Sequence, residues 1–291
     1  MTEIEVRICH QILLKLLIDF RDFCNKYQFQ YFIIGGTLLG AVRHGGFIPW
    51  DIDADIAMPR EDYEEMLTII NNEFPSMYYI QNTYTDSKFH TPKTKILVRG
   101  VKKDNPNKLM VSCETGLNLD IFPLDVAPKD LVKRESQRRK IRLFKTLLRF
   151  KIRYKINAYS SKEKITKFMR WVINGSLAWI PERYVISCMT KEMIRYNEIE
   201  SDYWCSMASH YDYHKQVMSK EVYGKGTEIQ FEGHCFVGPD MTHEYLQQIY
   251  GDYWELPPLA DRQAQYSHLE LTFDENAKEI WAEFIRMERP I

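Results

Sequence analysis

Hydrophobic positions change their period several times along the chain. Over residues 5–27, Ile8, Ile12, Leu16 and Phe20, flanked by Leu13, Leu17 and Cys24, recur every three or four positions and predict an amphipathic helix. Phe29–Ile34, rich in aromatic and β-branched residues, predicts a short strand closed by Gly35-Gly36, and Thr37–Val42 leaves room for only a short helix. The period then falls to two. Asp51, Asp53 and Asp55 alternate with Ile52, Ala54 and Ile56, so an extended chain presents carboxylates on one face and apolar groups on the other. Arg60–Asn72 returns to helical spacing, with Tyr63, Met66, Leu67 and Ile70 on one side, and Met77–Gln81 and Thr94–Val101 predict strands. Between Gly116 and Asp125, Leu117, Leu119 and Ile121 alternate with Asn118 and Asp120. That pattern predicts a half-buried strand that projects Asp120 and stops at Pro123.

From Lys129 to about Arg170 the pattern is helical and basic, with Arg138, Arg142, Lys145, Arg149 and Arg153 beside an apolar stripe of Ile141, Phe144, Leu148 and Ile152. Such a helix either docks on an anionic membrane surface or acidic ligand, or packs through its stripe with a solvated basic face. Helices are expected to continue over 162–180 and 181–198. Ile229–Phe231 and Cys235–Val237 flank a Glu-Gly-His turn and predict a hairpin, followed by a helix over Met241–Tyr250. No repeat or low-complexity tract divides the chain. It reads as a catalytic core over 1–128, a basic helical region over 129–200 and a C-terminal segment over 201–291 that completes the site.

Composition sets broad limits. A hydrophobic fraction of 45% and a charged fraction of 27% are those of an ordinary water-soluble protein. The net charge of −1 hides a basic block, because residues 129–170 hold sixteen Lys and Arg against three Asp and Glu. The six cysteines form no CxxC pair or dense framework, which fits reduced thiols. With no signal-peptide pattern at the start and no apolar run of about 18 residues, a cytoplasmic location is expected, with peripheral contact at the inner face of the cytoplasmic membrane as a variant.

A carboxylate row on a half-buried strand is costly unless a cation sits beside it, and a divalent metal is the usual solution. Asp53 and Asp55, joined by Asp120 from a neighbouring strand, would give three converging carboxylates. Oxygen ligands of this kind suit Mg²⁺, with Mn²⁺ as the alternative, alongside substrate phosphates. Gly35, Gly36 and Thr37 would supply backbone and hydroxyl donors to those phosphates, and Arg43 and His44 would add positive charge. In phosphoryl-type transfer the protein mainly positions groups and neutralises charge. Asp120 would in addition accept the proton of an attacking hydroxyl. Cys205, His210, His214, His234 and Cys235 match no compact zinc-site spacing.

These segments resemble a known family. Gly-Gly-Thr-Leu-Leu-Gly-Ala-Val-Arg-His-Gly-Gly-Phe-Ile-Pro-Trp-Asp (35–51), Asp-Ala-Asp-Ile-Ala-Met-Pro-Arg (53–60), Leu-Asp-Ile-Phe-Pro-Leu-Asp (119–125), Phe231-Glu-Gly and Ile249–Pro258 are similar to the motifs of the LicD family. These are cholinephosphotransferases of bacterial surface polysaccharides, related to the fukutin proteins. The resemblance implies an α/β (α+β) nucleotidyltransferase-like core with a small mixed sheet and an added helical layer. It implies Mg²⁺-assisted transfer of phosphocholine from CDP-choline to a sugar hydroxyl of a cell-surface glycan, which is lipid-linked in one variant, with no nucleic-acid partner. Asp53, Asp55 and Asp120 match the family's metal-binding and catalytic carboxylates, and Gly35, Gly36 and Thr37 its donor-phosphate loop. The alternatives are the same chemistry with phosphoethanolamine, an alditol phosphate or a sugar phosphate, or a non-catalytic nucleotide-binding scaffold. Where the family usually reads Trp-Asp-Asp-Asp-Ile-Asp, this chain has Ile52, which strand parity turns away from Asp53 and Asp55. Trp50 is a candidate aromatic contact for a quaternary ammonium, with core packing as its alternative role. Glu232 and Asp252 would orient acceptor or ribose unless they serve turns, and His268 is a candidate phosphate contact. Asp51 has no fixed role at this stage.

Overall fold

The computed structural model describes residues 1–104, 115–157, 175 and 179–284. The first helix, α1 (Glu3–Tyr27), opens on a capping box in which the Thr2 hydroxyl accepts the Glu5 N–H and the Glu5 carboxylate accepts the Thr2 N–H. Its predicted stripe, from Ile8 to Cys24, is buried throughout. A mixed sheet runs in the spatial order β1 (Phe32–Ile33), β2 (Ala54–Pro59), β6 (Asn118–Val126), β4 (Thr94–Val98), β3 (Tyr78–Gln81). Only the central pair, β2 and β6, is parallel. The α3 helix (Arg60–Glu73) follows β2 directly, and α1 and α3 both pack on β6. This is the α+β architecture with a small mixed sheet that the resemblance implied, and the sheet is curled.

Three predicted boundaries are corrected. The α2 helix (Gly35–His44) begins at the two glycines and outruns the short helix expected over Thr37–Val42. The strand expected over Thr94–Val101 breaks at Arg99-Gly100, where Gly100 turns at φ +72, and resumes as β5 (Val101–Asp104) paired with Glu270–Phe273. Most notably, Pro123 does not stop β6, and the strand is buried at all nine positions. β4 flanks β6 over Asn118–Ile121, and a further strand, β7 (Tyr203–Cys205), takes over at Asp125. Pro123 falls in the gap between them, flanked only by β2, where its missing N–H is tolerated.

The basic region is a packed layer in its described part. The α4 helix (Leu131–Asn157) lies against α5 (Glu182–Met193), and Ile141 and Leu148 join Val185, Ile186 and Met189 in a second apolar cluster. Of the basic row, Arg138 is tied to Glu135, and Lys145 turns inward to donate to the Ser209 carbonyl at 2.6 Å. Burial lowers the Lys145 pKa to about 8. Arg142 and Arg149 are exposed, while the side chain of Arg153 and the helix expected over 162–180 lie outside the described residues or nearly so. Below the sheet's far end, the guanidinium of Arg60 grips the fully buried Asp125 with two bonds of 2.8 and 2.7 Å, and Asn197 adds a third at 3.0 Å. Among the described residues no helix is long and apolar enough to cross a membrane.

Candidate active site

One cavity of about 250 Å³ collects the acidic motif. Its floor carries Asp51, Asp53, Asp55 and Asp120, its rim Gly35 and Gly36, and its far wall Ser209, His210, Tyr211, Gln216, Tyr245 and Tyr250. The parity argument holds in three dimensions: Ile52, Ala54 and Ile56 are buried, and the three aspartates that alternate with them, Asp51, Asp53 and Asp55, face the cavity. Asp51 and Asp53 nevertheless precede the ladder, which begins at Ala54. The parallel register sets Asp55 level with Asp120, and the antiparallel register sets Asp120 level with Lys95. Two residues 65 positions apart thereby become neighbours.

The glycines are explained by the carboxylates. A Cβ on Gly35 would stand 2.7 Å from Asp55 Oδ2, and one on Gly36 2.7 Å from Asp51 Oδ2. Gly35 also sits at φ +57, a conformation that side chains disfavour. The Tyr245 hydroxyl meets the Gly35 backbone. Thr37 lies behind the cavity, buried, where its hydroxyl accepts the Asp55 N–H at 2.8 Å and fixes β2 to α2.

The electrostatics divide the aspartates. Burial, then Asp53 and Asp55, raise Asp51 well above the usual carboxylate range, and the Asp51 and Asp53 carboxyls meet in a hydrogen bond. Burial, then Asp53 and Asp120, do the same to Asp55. Asp120 behaves in the opposite way. Burial pushes it up, but Lys95 and Lys93 more than offset this and hold it below its ordinary value. Lys93 Nζ stands 2.6 Å from Oδ2, Lys95 Nζ 3.2 Å from Oδ1, and Asn118 donates to Oδ1 at 3.1 Å. No described cation forms an ion pair with Asp51, Asp53 or Asp55. Among the described residues no group of three or more His, Cys, Asp or Glu side chains is gathered as a ready metal cage. What the structure offers a cation is an uncompensated, oxygen-only row, which suits a hard ion shared with substrate phosphates better than an all-protein cage.

Other expected site residues lie elsewhere. Arg43 and His44 occupy the last turn of α2, and neither lines the cavity. Trp50 is 9% exposed and lies against the guanidiniums of Arg43 and Arg262. Glu232 braces a turn: its N–H donates to the Gly45 carbonyl at 2.9 Å, and its Oε1 accepts the Phe47 N–H at 2.9 Å. Asp252 accepts the Trp254 N–H in an exposed turn, and His268 is half-buried with its Nδ1 beside the Ala264 carbonyl. Sequence reasoning passed over Lys93, Lys95, Gln216 and the three tyrosines. The lysines were detectable, since they bracket buried Thr94 with the same period of two that exposed the aspartates. The tyrosines carried no such mark, because Tyr211 lies in a loop and Tyr245 and Tyr250 on a helix.

Fold and site together define an α+β protein whose central parallel strand pair delivers carboxylates to a small polar cavity. Comparison with known proteins is consistent with this. Residues 28–152 match the family model described as LicD/FKTN/FKRP, nucleotidyltransferase domain, so this part of the chain is similar to that domain. It is 26% identical over 279 residues to the lipopolysaccharide cholinephosphotransferase LicD of Haemophilus influenzae, spanning 91% of this chain and 97% of that protein. It is also 54% identical over 33 residues to the ribitol 5-phosphate transferase FKRP of Homo sapiens, which is 11% of this chain and 7% of that protein.

Proposed function

We propose that the chain transfers phosphocholine from CDP-choline to a hydroxyl of a cell-surface glycan, releasing CMP. The observation that carries this reading is the row Asp51, Asp53, Asp55 gathered beside the lysine-bound Asp120 in one cavity. Its 250 Å³ is below the roughly 300–1,000 Å³ of a pocket that encloses a whole ligand, so it suits the reacting end of a nucleotide-activated donor. Asp53 and Asp55 are the residues that would hold Mg²⁺ or Mn²⁺, which would neutralise charge on the donor phosphates. The chain's own groups do the rest. Lys93 and Lys95 place positive charge where those phosphates lie. Asp120, held ionised by the same lysines, is a weak proton acceptor and serves as their anchor. Accepting the hydroxyl proton falls to Asp51, where burial and the neighbouring carboxylates raise proton affinity.

A second reading keeps the chemistry and changes the cargo to an alditol phosphate, which the similarity to a ribitol 5-phosphate transferase favours. CMP release from CDP-choline, CDP-ethanolamine and CDP-ribitol in the presence of Mg²⁺ separates the two. CDP-choline should be turned over fastest, and Asp53→Ala should abolish release. Persisting turnover in Asp53→Ala would refute the role given to the carboxylate row.

A further inference from the structure

We infer that Arg43, Arg262 and His44, gathered around Trp50, form a second, cationic subsite that binds a phosphate or diphosphate group just outside the carboxylate cavity. Arg262 Cζ lies 5.0 Å and Arg43 Cζ 6.0 Å from the centre of the Trp50 ring, and the His44 ring meets its edge at 5.7 Å. The indole is buried and works as a platform that orders both guanidiniums. Their protein acceptors are neutral. Arg43 Nε donates to His44 Nε2 at 3.1 Å, Arg43 Nη1 donates to the Tyr253 carbonyl at 2.8 Å and the Glu255 carbonyl at 3.5 Å, and Arg262 Nε donates to the Pro257 carbonyl at 2.5 Å, so His44 enters the cluster as a neutral imidazole. Among the described residues neither arginine forms an ion pair, whereas Arg21, Arg60, Arg138, Arg139 and Arg195 each hold a carboxylate.

A guanidinium has five N–H donors in a planar fork, so most of the donors in this cluster remain available. Burial lowers the proton affinity of Arg43, and burial with the two neighbouring guanidiniums lowers that of His44. Like charges crowded on one ring with no counter-charge are unfavourable unless an anion completes the group, and a planar fork matches phosphate oxygens. The cluster adjoins the cavity without opening into it. Trp50 directly precedes Asp51, and Tyr250, which lines the cavity, is close enough to act on the charge of Arg43. A bound phosphate here belongs to one of two sources: the phosphate of the donor that leaves with CMP, or a phosphate on the acceptor. The assignment to donor or acceptor rests on the proposed transferase reading, while the anion site itself does not.

Inorganic pyrophosphate, titrated calorimetrically into the full chain with EDTA present, tests the site without turnover. Pyrophosphate should bind, more weakly at 300 mM than at 50 mM salt, and Arg262→Gln should weaken it about tenfold, the effect of one charge-assisted contact. Arg262→Lys should recover part of that loss. Unchanged affinity in Arg262→Gln, or affinity lost only in Lys93→Gln, would overturn the proposal by placing the anion in the cavity or nowhere specific. If Arg262→Gln does not fold, the pair Arg43→Lys and His44→Gln decides by the same criterion. Source is then assigned with CDP-choline. Weakening by the same factor in Arg262→Gln marks a donor phosphate, and unchanged donor affinity with a raised KM for acceptor marks an acceptor phosphate. Absence of CMP release with an intact pyrophosphate effect would remove the transferase reading and leave the subsite standing.

Discussion

Gly36 is the position where one methyl group can move one carboxylate and little else. An alanine Cβ there would stand 2.7 Å from Asp51 Oδ2 and 3.9 Å from its Cγ, with nothing else within 4 Å. Ordinary contact begins near 3.4 Å, so the carboxylate must retreat by about 0.7 Å. It can do so, because it is the end of a side chain, although its Oδ1 would strain the bond it accepts from the Ile52 N–H at 3.0 Å. The Gly36 backbone is ordinary helix, so alanine adds roughly 1 kcal/mol of helix propensity and no strain. Stability should therefore hold or rise, by about 2–4 °C in Tm at most. Turnover should fall by about a hundredfold, the order expected for a reacting group displaced by nearly an ångström. Gly35→Ala is the contrasting variant. Its left-handed φ of +57 costs a side chain about 1–2 kcal/mol, and its Cβ meets Asp55, which is fixed in the sheet. It should lose several degrees as well as activity. CMP release and a thermal melt on both variants are sufficient. Wild-type turnover in Gly36→Ala, or a melt as depressed as that of Gly35→Ala, would show that the close approach of glycine and carboxylate does not shape the site.

Three further outcomes are expected. Arg60→Leu strands a fully buried Asp125 with only Asn197 as partner and should cost about 3–5 kcal/mol, read as a lowered urea midpoint; a loss under 1 kcal/mol would mean that the pair contributes little. Asp51 and Asp55 bind protons more tightly folded than unfolded, where a carboxyl titrates near about 3.9. Their contribution is thus fully present below that pH and is lost as pH rises through the folded values, so Asp55→Asn should flatten the fall in Tm between pH 5 and 8; parallel slopes in variant and wild type would contradict this. Because Lys145 is turned inward, any attraction of α4 to anionic vesicles should depend on Arg142 and Arg149, and their double reversal to Glu should lower salt-sensitive binding while Lys145→Gln leaves it unchanged.

Much of the fold could be read from the sequence because its signals are local. The stripe of α1 and the turn between Phe231 and His234 each lie within one local element, and the alternation at Asp51–Ile56 sorts its faces as expected although the strand itself starts only at Ala54. Pro123 misled because its tolerance depends on where β4 ends and β7 begins, facts set by strands far away in the chain. The distance between Gly36 and the pair Arg43 and His44 was also hidden. They are close in sequence, but a ten-residue helix carries the pair about 12 Å along its axis, outside the carboxylate cavity. The far wall of tyrosines was not readable, since 39 aromatic residues offer no basis for choosing three before the chain is folded.

The Arg60–Asp125 pair has a consequence beyond stability. Arg60 follows Pro59 and Asp125 follows Leu124, which are the last partners of the parallel ladder, so the ion pair adds one more rung in the same register. Two parallel strands can slide, and a slip of one residue turns every side chain to the opposite face. The ion pair acts as an end stop against that slip, five residues, or about 16 Å, from where Asp55 meets Asp120. The address of the chemical residues is thus kept outside the chemical site. A substitution at position 60 that spares most of the stability can still misfile Asp120, and the resulting inactive protein would carry an untouched set of cavity residues.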